Sequence, residues 1–304
     1  MENQSSRRKM LKQLGLGSLA LGGMESLSSF TGKETEKKAK LKSNINHSVC
    51  LWTYNFIPLA ELCQFVKKTG FGAIDLVGPK DWPTLKEYGI YSSMCNGAEI
   101  SIPNGWNDKQ YHSTLIKNYT DHIEMASKAG YKNIICFSGN RRGMDDEVGM
   151  NTCAEGLKQI MSAAEKAGIT IQMELLNSKV NHRDYMCDKS PWGIGLVKKI
   201  GSPNFKLLYD IYHMQIDEGD VIHTINDNHQ YFGHYHTGGV PGRHVIDESQ
   251  ELYYPAIMQA ILKTGYKGYV AQEFLPTSTE PTDKAKQAKD KFAQLYKSVN
   301  ICDV

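Results

Sequence analysis

In Ala167-Gly168-Ile169-Thr170-Ile171-Gln172-Met173-Glu174 a glycine separates the end of an amphipathic segment from a short apolar run that closes on a carboxylate. The preceding segment, 150–167, carries apolar residues at helical spacing, and glycine supplies the left-handed residue that ends a helix and turns the chain. The same arrangement recurs at Thr69-Gly70-Phe71, Ala129-Gly130-Tyr131 and Thr264-Gly265-Tyr266. One repeated helix–turn–strand unit explains all four.

Around that unit the sequence holds eight strand candidates, at 48–52, 73–77, 90–95, 133–137, 170–175, 206–211, 233–236 and 269–274. Segments 59–69, 110–129, 150–167, 192–200 and 256–264 carry helical periodicity between them, and 283–299 reads as a last outer helix. Alternation of this kind specifies a parallel sheet covered by helices. Eight units within about 230 residues, with no G-x-G-x-x-G after the first strand, favour a closed (β/α)₈ TIM barrel, a single α/β domain, over a doubly wound open sheet. The expected division is a leader over 1–30, a charged linker over 31–46 and the barrel over 47–300.

The leader holds Arg7, Arg8, Lys9 and Lys12 against Glu2 and Glu25, a surplus that accounts for the whole net charge of +2. The rest of the chain is neutral and lacks the electrostatic footprint of a nucleic-acid binder. The charge-free run 14–23 follows the basic residues, as in a secretory signal, and is too short to span a bilayer as a stable helix. The paired arginines resemble the twin-arginine consensus, which predicts export of the folded protein to a periplasmic or other extracytoplasmic compartment. Seven cysteines without C-x-x-C spacing, several of them in apolar runs (Cys50, Cys63, Cys136, Cys153), read as buried thiols and not as a disulfide framework.

In a barrel the chemistry projects from the C-terminal ends of the strands. Four ligand-type residues close successive apolar runs there: Glu174 on the fifth, Asp210 in Leu207-Leu208-Tyr209-Asp210, His236 in Gly233-His234-Tyr235-His236, and Glu273 in Tyr269-Val270-Ala271-Gln272-Glu273. Taken singly, Glu174 or Asp210 could cap a following helix, and His236 could be an ordinary polar contact. Together, three carboxylates on one arc would raise one another's pKa, and a divalent cation resolves the repulsion. Oxygen ligands with a single imidazole suit Mn²⁺, Mg²⁺ or Co²⁺, with Zn²⁺ also compatible. His213, just past the sixth strand, is placed to touch a bound oxygen. The turn-rich Gly238-Gly239-Val240-Pro241-Gly242-Arg243-His244 would carry Arg243 over the mouth, where a guanidinium can clamp a carboxylate or an enediolate oxygen.

Met173-Glu174-Leu175-Leu176-Asn177, Tyr209-Asp210-Ile211-Tyr212-His213-Met214-Gln215, the segment 234–244 and Gln272-Glu273-Phe274 resemble the successive motifs of the hydroxypyruvate isomerase family, within the xylose isomerase-like barrels. The resemblance implies a metal held by Glu174, Asp210, His236 and Glu273, with His213 and Arg243 contacting substrate. One position departs from it, since a Gln is usual in hydroxypyruvate isomerases where His236 stands, and His is usual in ketose 3-epimerases. The implied activity is an aldose–ketose isomerase of carbohydrate metabolism. It would move a proton next to a carbonyl of a small sugar or hydroxy-keto acid through an enediolate, with Glu174 and Glu273 as the acid–base pair and Asp210 and His236 as structural ligands.

Alternatives remain at this stage: a ketose 3-epimerase, a metal-dependent lyase or hydrolase of oxidised sugars, a sugar-binding barrel without turnover, and remotely an abasic-site endonuclease. The last needs more histidines at the early strand ends than Cys136-Phe137-Ser138-Gly139-Asn140 offers. The expected partners are the small-molecule substrate and the twin-arginine export machinery, with no nucleic acid; assembly into a homo-oligomer is left open. Arg7→Lys combined with Arg8→Lys should hold the precursor in the cytoplasm. Undiminished export of that double variant, followed by fractionation and immunoblotting, would refute the twin-arginine reading.

Overall fold

The structure is a computed structural model and describes residues 41–278 and 282–304. The expected leader, and the expected linker up to residue 40, lie outside them. Eight strands follow in order: β1 (Asn46–Val49), β2 (Ala73–Asp75), β3 (Tyr91–Met94), β4 (Asn133–Cys136), β5 (Thr170–Glu174), β6 (Phe205–Asp210), β7 (Phe232–Thr237) and β8 (Tyr269–Gln272). The described helices are α1 (Leu59–Thr69), α2 (Trp82–Tyr88), α3 (His112–Ala129), α4 (Asp146–Ala167), α5 (Ser190–Ile200), α6 (Ile211–Asp217), α7 (Val221–Asn228), α8 (Tyr254–Lys263) and α9 (Lys284–Cys302).

Every ladder is parallel. Six strands pair in the order β1-β8-β7-β6-β5-β4, and β2 pairs with β3. Single parallel bridges join the two pieces at both seams, Cys50 to Asp75 and Cys95 to Ile134, so the ring is continuous. The sequence-based expectation of a TIM barrel holds. Strands buried on both faces need near-continuous apolar runs, and Ile134, Ile171, Met173, Leu207, Tyr209, Tyr235 and Val270 are all buried. Among the described residues no helix is long and apolar enough to cross a membrane.

Three of the four repeated glycines act as anticipated. Gly70, Gly130 and Gly168 are left-handed C-caps, and the Gly168 amide donates to the carbonyls of Ala164 and Glu165. At the fourth, Thr264 is the C-cap of α8, one residue earlier, and Gly265 takes the positive φ of +80° behind it. The seven cysteines are free and buried, as expected.

Strand and helix ends differ from the sequence-based expectation by a residue or more. The first strand starts at Asn46 and stops at Val49 because Cys50 O accepts from both Thr53 N and Thr53 Oγ1, winding 51–54 into a 3₁₀ turn. Helices α2, α6 and α7 were not anticipated. At seven or eight residues each they are too short to show a helical period. α6 begins directly on Asp210, whose Oδ1 accepts from His213 N at 3.2 Å.

The segment after β3 is laid across the end of β4, with Trp106 N donating to Phe137 O and Asn107 N to Ser138 O. Gly105 makes this approach possible, since a Cβ there would lie 2.4 Å from Phe137 O and 2.5 Å from Gly139 N, both backbone. Gly105→Ala should therefore cost about 2 kcal/mol or more of stability, the scale of overpacking at a rigid site. Chemical denaturation checks this, and an unchanged midpoint would show that the loop is not fixed in this way.

Candidate active site

Glu174 and Asp210 end β5 and β6, His236 lies near the end of β7, and Glu273 follows β8 by one residue. Neighbouring strands in register bring the four together. Asp210 is paired with His236, and one ligand atom from each of the four residues lies within 4.8 Å of the others. All four side chains are buried. His236 Nδ1 is 2.7 Å from Glu273 Oε2 and 3.2 Å from Glu174 Oε1. The sequence-predicted ligand set is thus one cluster.

The opposite ring nitrogen explains the orientation of the imidazole. His236 Nε2 lies 3.0 Å from Asp75 Oδ1 and donates to it, and Asp75 Oδ2 accepts from Ser93 Oγ at 2.6 Å. His234 Nε2 is 2.8 Å from the same Oδ2. A carboxylate on Nε2–H orients the ring and turns Nδ1 toward Glu174 and Glu273; burial would lower the imidazole's pKa, but Glu273, Cys50 and Asp75 outweigh it and hold it well above the ordinary value. Burial alone would raise the Asp75 pKa, but His234 and His236 outweigh it and hold the carboxyl well below the usual range.

Arg243 is placed differently from the expectation that its loop would carry it over the mouth. The side chain is buried and turned down against the ligands. Nη2 donates to Asp210 Oδ2 at 3.0 Å and to Glu273 Oε2, Nε donates to Glu273 O at 3.0 Å, and Nη1 lies 2.8 Å from His213 Nε2. Its planar group also lies over the Tyr212 and Trp52 rings, at 5.0 and 5.6 Å from their centroids. A guanidinium this committed neutralises ligand charge more than it waits for a substrate anion.

His213 Nδ1 accepts from the Asn177 backbone N–H at 3.1 Å. Nε2 lies 2.8 Å from Arg243 Nη1, which can only donate, so the ring faces an N–H donor at each of its nitrogens. Burial, then the Arg243 charge, pushes the His213 pKa well down, so the ring stays neutral.

The two glutamates differ. Burial, reinforced by Glu273, raises the pKa of Glu174, whose Oε1 is buried without a hydrogen-bond partner. For Glu273 burial is outweighed by Arg243 and His236, and its pKa lies well below the usual value; Oε1 also accepts from Trp52 Nε1 at 2.7 Å. Burial likewise pushes Asp210 up, to about 7, against the opposing pull of Arg243. Over these groups opens a cavity of about 360 Å³ lined on one side by Leu76, Ile102, Ile135, Phe137 and Leu176, and on the other by Glu174, His182, His213, Arg243 and Glu273.

Residues 63–296 match the xylose isomerase-like TIM barrel family over most of the chain. The chain belongs to that family. Among curated relatives it is 33% identical over 125 residues to the 2-oxo-tetronate isomerase of Cupriavidus necator, covering 41% of this chain and 47% of that one. It is 25% identical over 256 residues to the Drosophila melanogaster protein named "Putative hydroxypyruvate isomerase", covering 79% and 93%. The first match thus spans about half the length of its relative. Two solved structures are similar: an AP endonuclease, family 2, from Brucella melitensis (TM-score 0.69, 25% identity, 81% and 98% covered) and the D-psicose 3-epimerase with D-tagatose from Clostridium cellulolyticum (TM-score 0.71, 18% identity, 86% and 100% covered).

Several residues of this xylose isomerase-like barrel were not anticipated. Asp75 is a lone carboxylate inside the apolar run Ala73-Ile74-Asp75-Leu76-Val77, a signal that sequence reading could have used. His234 sits two residues before His236 and on its side of the strand, again legible from the period of two. Trp52 and Asn177 reach the site by loop and helix geometry that no local pattern announces. Asp75→Asn should weaken divalent cation binding about 10- to 100-fold while leaving the fold intact, the range for partners that orient a ligand histidine. Titration calorimetry with Mn²⁺ checks this, and unchanged affinity would remove Asp75 from the site.

Proposed function

We propose that this chain is a divalent-cation-dependent isomerase that moves a proton at carbon next to a carbonyl of a small sugar or hydroxy-keto acid. The observation that carries this reading is the buried convergence of Glu174, Asp210, His236 and Glu273 beneath an apolar-walled cavity. A cation fits the donor set. Glu174 Oε1 and His236 Nδ1 are buried, face each other and lack hydrogen-bond partners, and one guanidinium cannot balance three carboxylates. Glu174, Asp210, His236 and Glu273 would hold it, as Mn²⁺, Mg²⁺ or Co²⁺, with Zn²⁺ compatible. When bound, it supplies Lewis-acid polarisation of the substrate carbonyl.

The chain's own groups perform the proton movement. Glu174, the glutamate with fewer compensating partners, takes the proton from the carbon next to the carbonyl. The electron pair of that C–H bond becomes the double bond of an enediolate, whose oxygen charge the nearby Arg243 guanidinium would offset. Return of a proton to the neighbouring carbon, with the hydroxyl proton passing between oxygens, completes isomerisation. Glu273 serves the opposite face and is the more firmly fixed of the pair, through Trp52 and Arg243. Return to the same carbon from that face would be epimerisation, the activity named for the D-psicose 3-epimerase.

The relatives named as isomerases support this reading. Glu174→Gln and Glu273→Gln should each lower kcat by at least about 10²-fold with the fold retained, since each loses a proton carrier and a charged ligand. Chelation should abolish activity and added Mn²⁺, Mg²⁺ or Co²⁺ restore it. Full activity in chelator, or near-normal turnover of either variant, would overturn the assignment.

A further inference from the structure

We propose that the substrate is a neutral polyhydroxy ketose and that Glu99 excludes the keto acids; this rests on the isomerase reading above. Glu99 lines the cavity from the segment after β3 and is half-buried. Its Oε2 accepts from Gly97 N at 2.7 Å, and among the described residues no lysine, arginine or histidine pairs with it. The carboxylate is therefore held toward the cavity as an uncompensated negative charge. Asn96 and His182, which line the same space, offer it no countercharge: the first is an amide, and burial followed by the Arg243 charge lowers the pKa of the second.

Charge bookkeeping around the whole site points the same way. Arg243 is the one cationic side chain lining the cavity, and Asp210, Glu273 and the Glu273 carbonyl take three of its N–H groups. Four carboxylates, Glu99, Glu174, Asp210 and Glu273, stand against that guanidinium. Even with a divalent cation bound, one negative charge remains. A substrate carboxylate would enter a site of its own sign and find no free fork to pair with. A hydroxyl, in contrast, can donate to Glu99 and accept from the Asn96 amide, while C–H groups rest on Leu76, Ile102 and Phe137.

The test uses the manganese-loaded protein in deuterated water with two sets of compounds, each of roughly three to six carbons to suit a cavity of this class. One set is neutral ketoses; the other is hydroxypyruvate and 2-oxo-tetronate. At least one neutral ketose should exchange a carbon-bound proton next to its carbonyl with kcat/KM at least about 100-fold above either acid. Glu99→Gln keeps the acceptor for Gly97 and removes the charge; it should narrow that ratio at least about tenfold, chiefly by improving the acids. Titration calorimetry with a polyol and its aldonate should show the polyol alone binding the unsubstituted protein and both binding the Glu99→Gln variant. Preference of the unsubstituted protein for a keto acid overturns the substrate class and leaves the isomerase reading standing. An unchanged ratio and unchanged aldonate binding in Glu99→Gln overturn the role of Glu99. Absence of exchange with every compound overturns the isomerase reading, and calorimetry then decides the ligand class by itself, with aldonate binding counting against it.

Discussion

Three carboxylates packed around one imidazole at the end of a parallel barrel is the constraint on which the rest of this structure depends. Glu174, Asp210 and Glu273 are buried, and His236 Nδ1 lies within 3.2 Å of two of them. Such a cluster is costly unless positive charge is supplied, because desolvation of three carboxylates exceeds what one imidazole can return. Arg243 supplies part, reaching both Asp210 and Glu273 with one nitrogen. The remainder is the electrostatic case for a cation. The loop that carries Arg243 down to the ligands, instead of out over the mouth, is a consequence of this demand.

The barrel's closure and the orientation of the histidine are coupled. Cys50 and Asp75 form the single bridge that joins β1 to β2, and Asp75 is also the acceptor that fixes His236 from across the ring. Ser93 on β3 and His234 on β7 meet the other Asp75 oxygen. Strands from opposite arcs thus converge on one carboxylate directly beneath the ligand cluster. A weakening of the seam would turn the imidazole as well as open the sheet, so fold and site share a single polar joint.

The four clustered side chains were legible in the sequence because each closes an apolar run, and strand register then brings them together. The oriented partners were less so. Asp75 and His234 obey the period of two but lie inside strands, where an isolated polar residue does not announce its partner. Trp52, Asn177 and Glu99 depend on loops whose paths are set by tertiary contacts, such as the close approach at Gly105 that lays the segment after β3 across β4. Short helices were missed for a related reason: α6 is nucleated by the Asp210 side chain acting as a cap, so its start is determined by a residue that also belongs to the site. Asp210 is at once the cap of α6 and a member of the buried cluster.

The division of labour between floor and walls follows from these positions. Strand ends are rigid, and they carry the groups whose geometry would have to be fixed to within fractions of an ångström for the proposed proton transfer. The walls come from loops after β1, β2, β3, β4 and β5, which can vary without disturbing the floor. One floor can therefore support isomerisation or epimerisation, since both begin by removing a proton next to a carbonyl. What distinguishes substrates must come from the walls, and here those walls present apolar side chains, two neutral rings and one unpaired carboxylate. Glu99 is not among the four clustered residues, so in the proposal its charge selects what occupies the cavity and does not hold the cation.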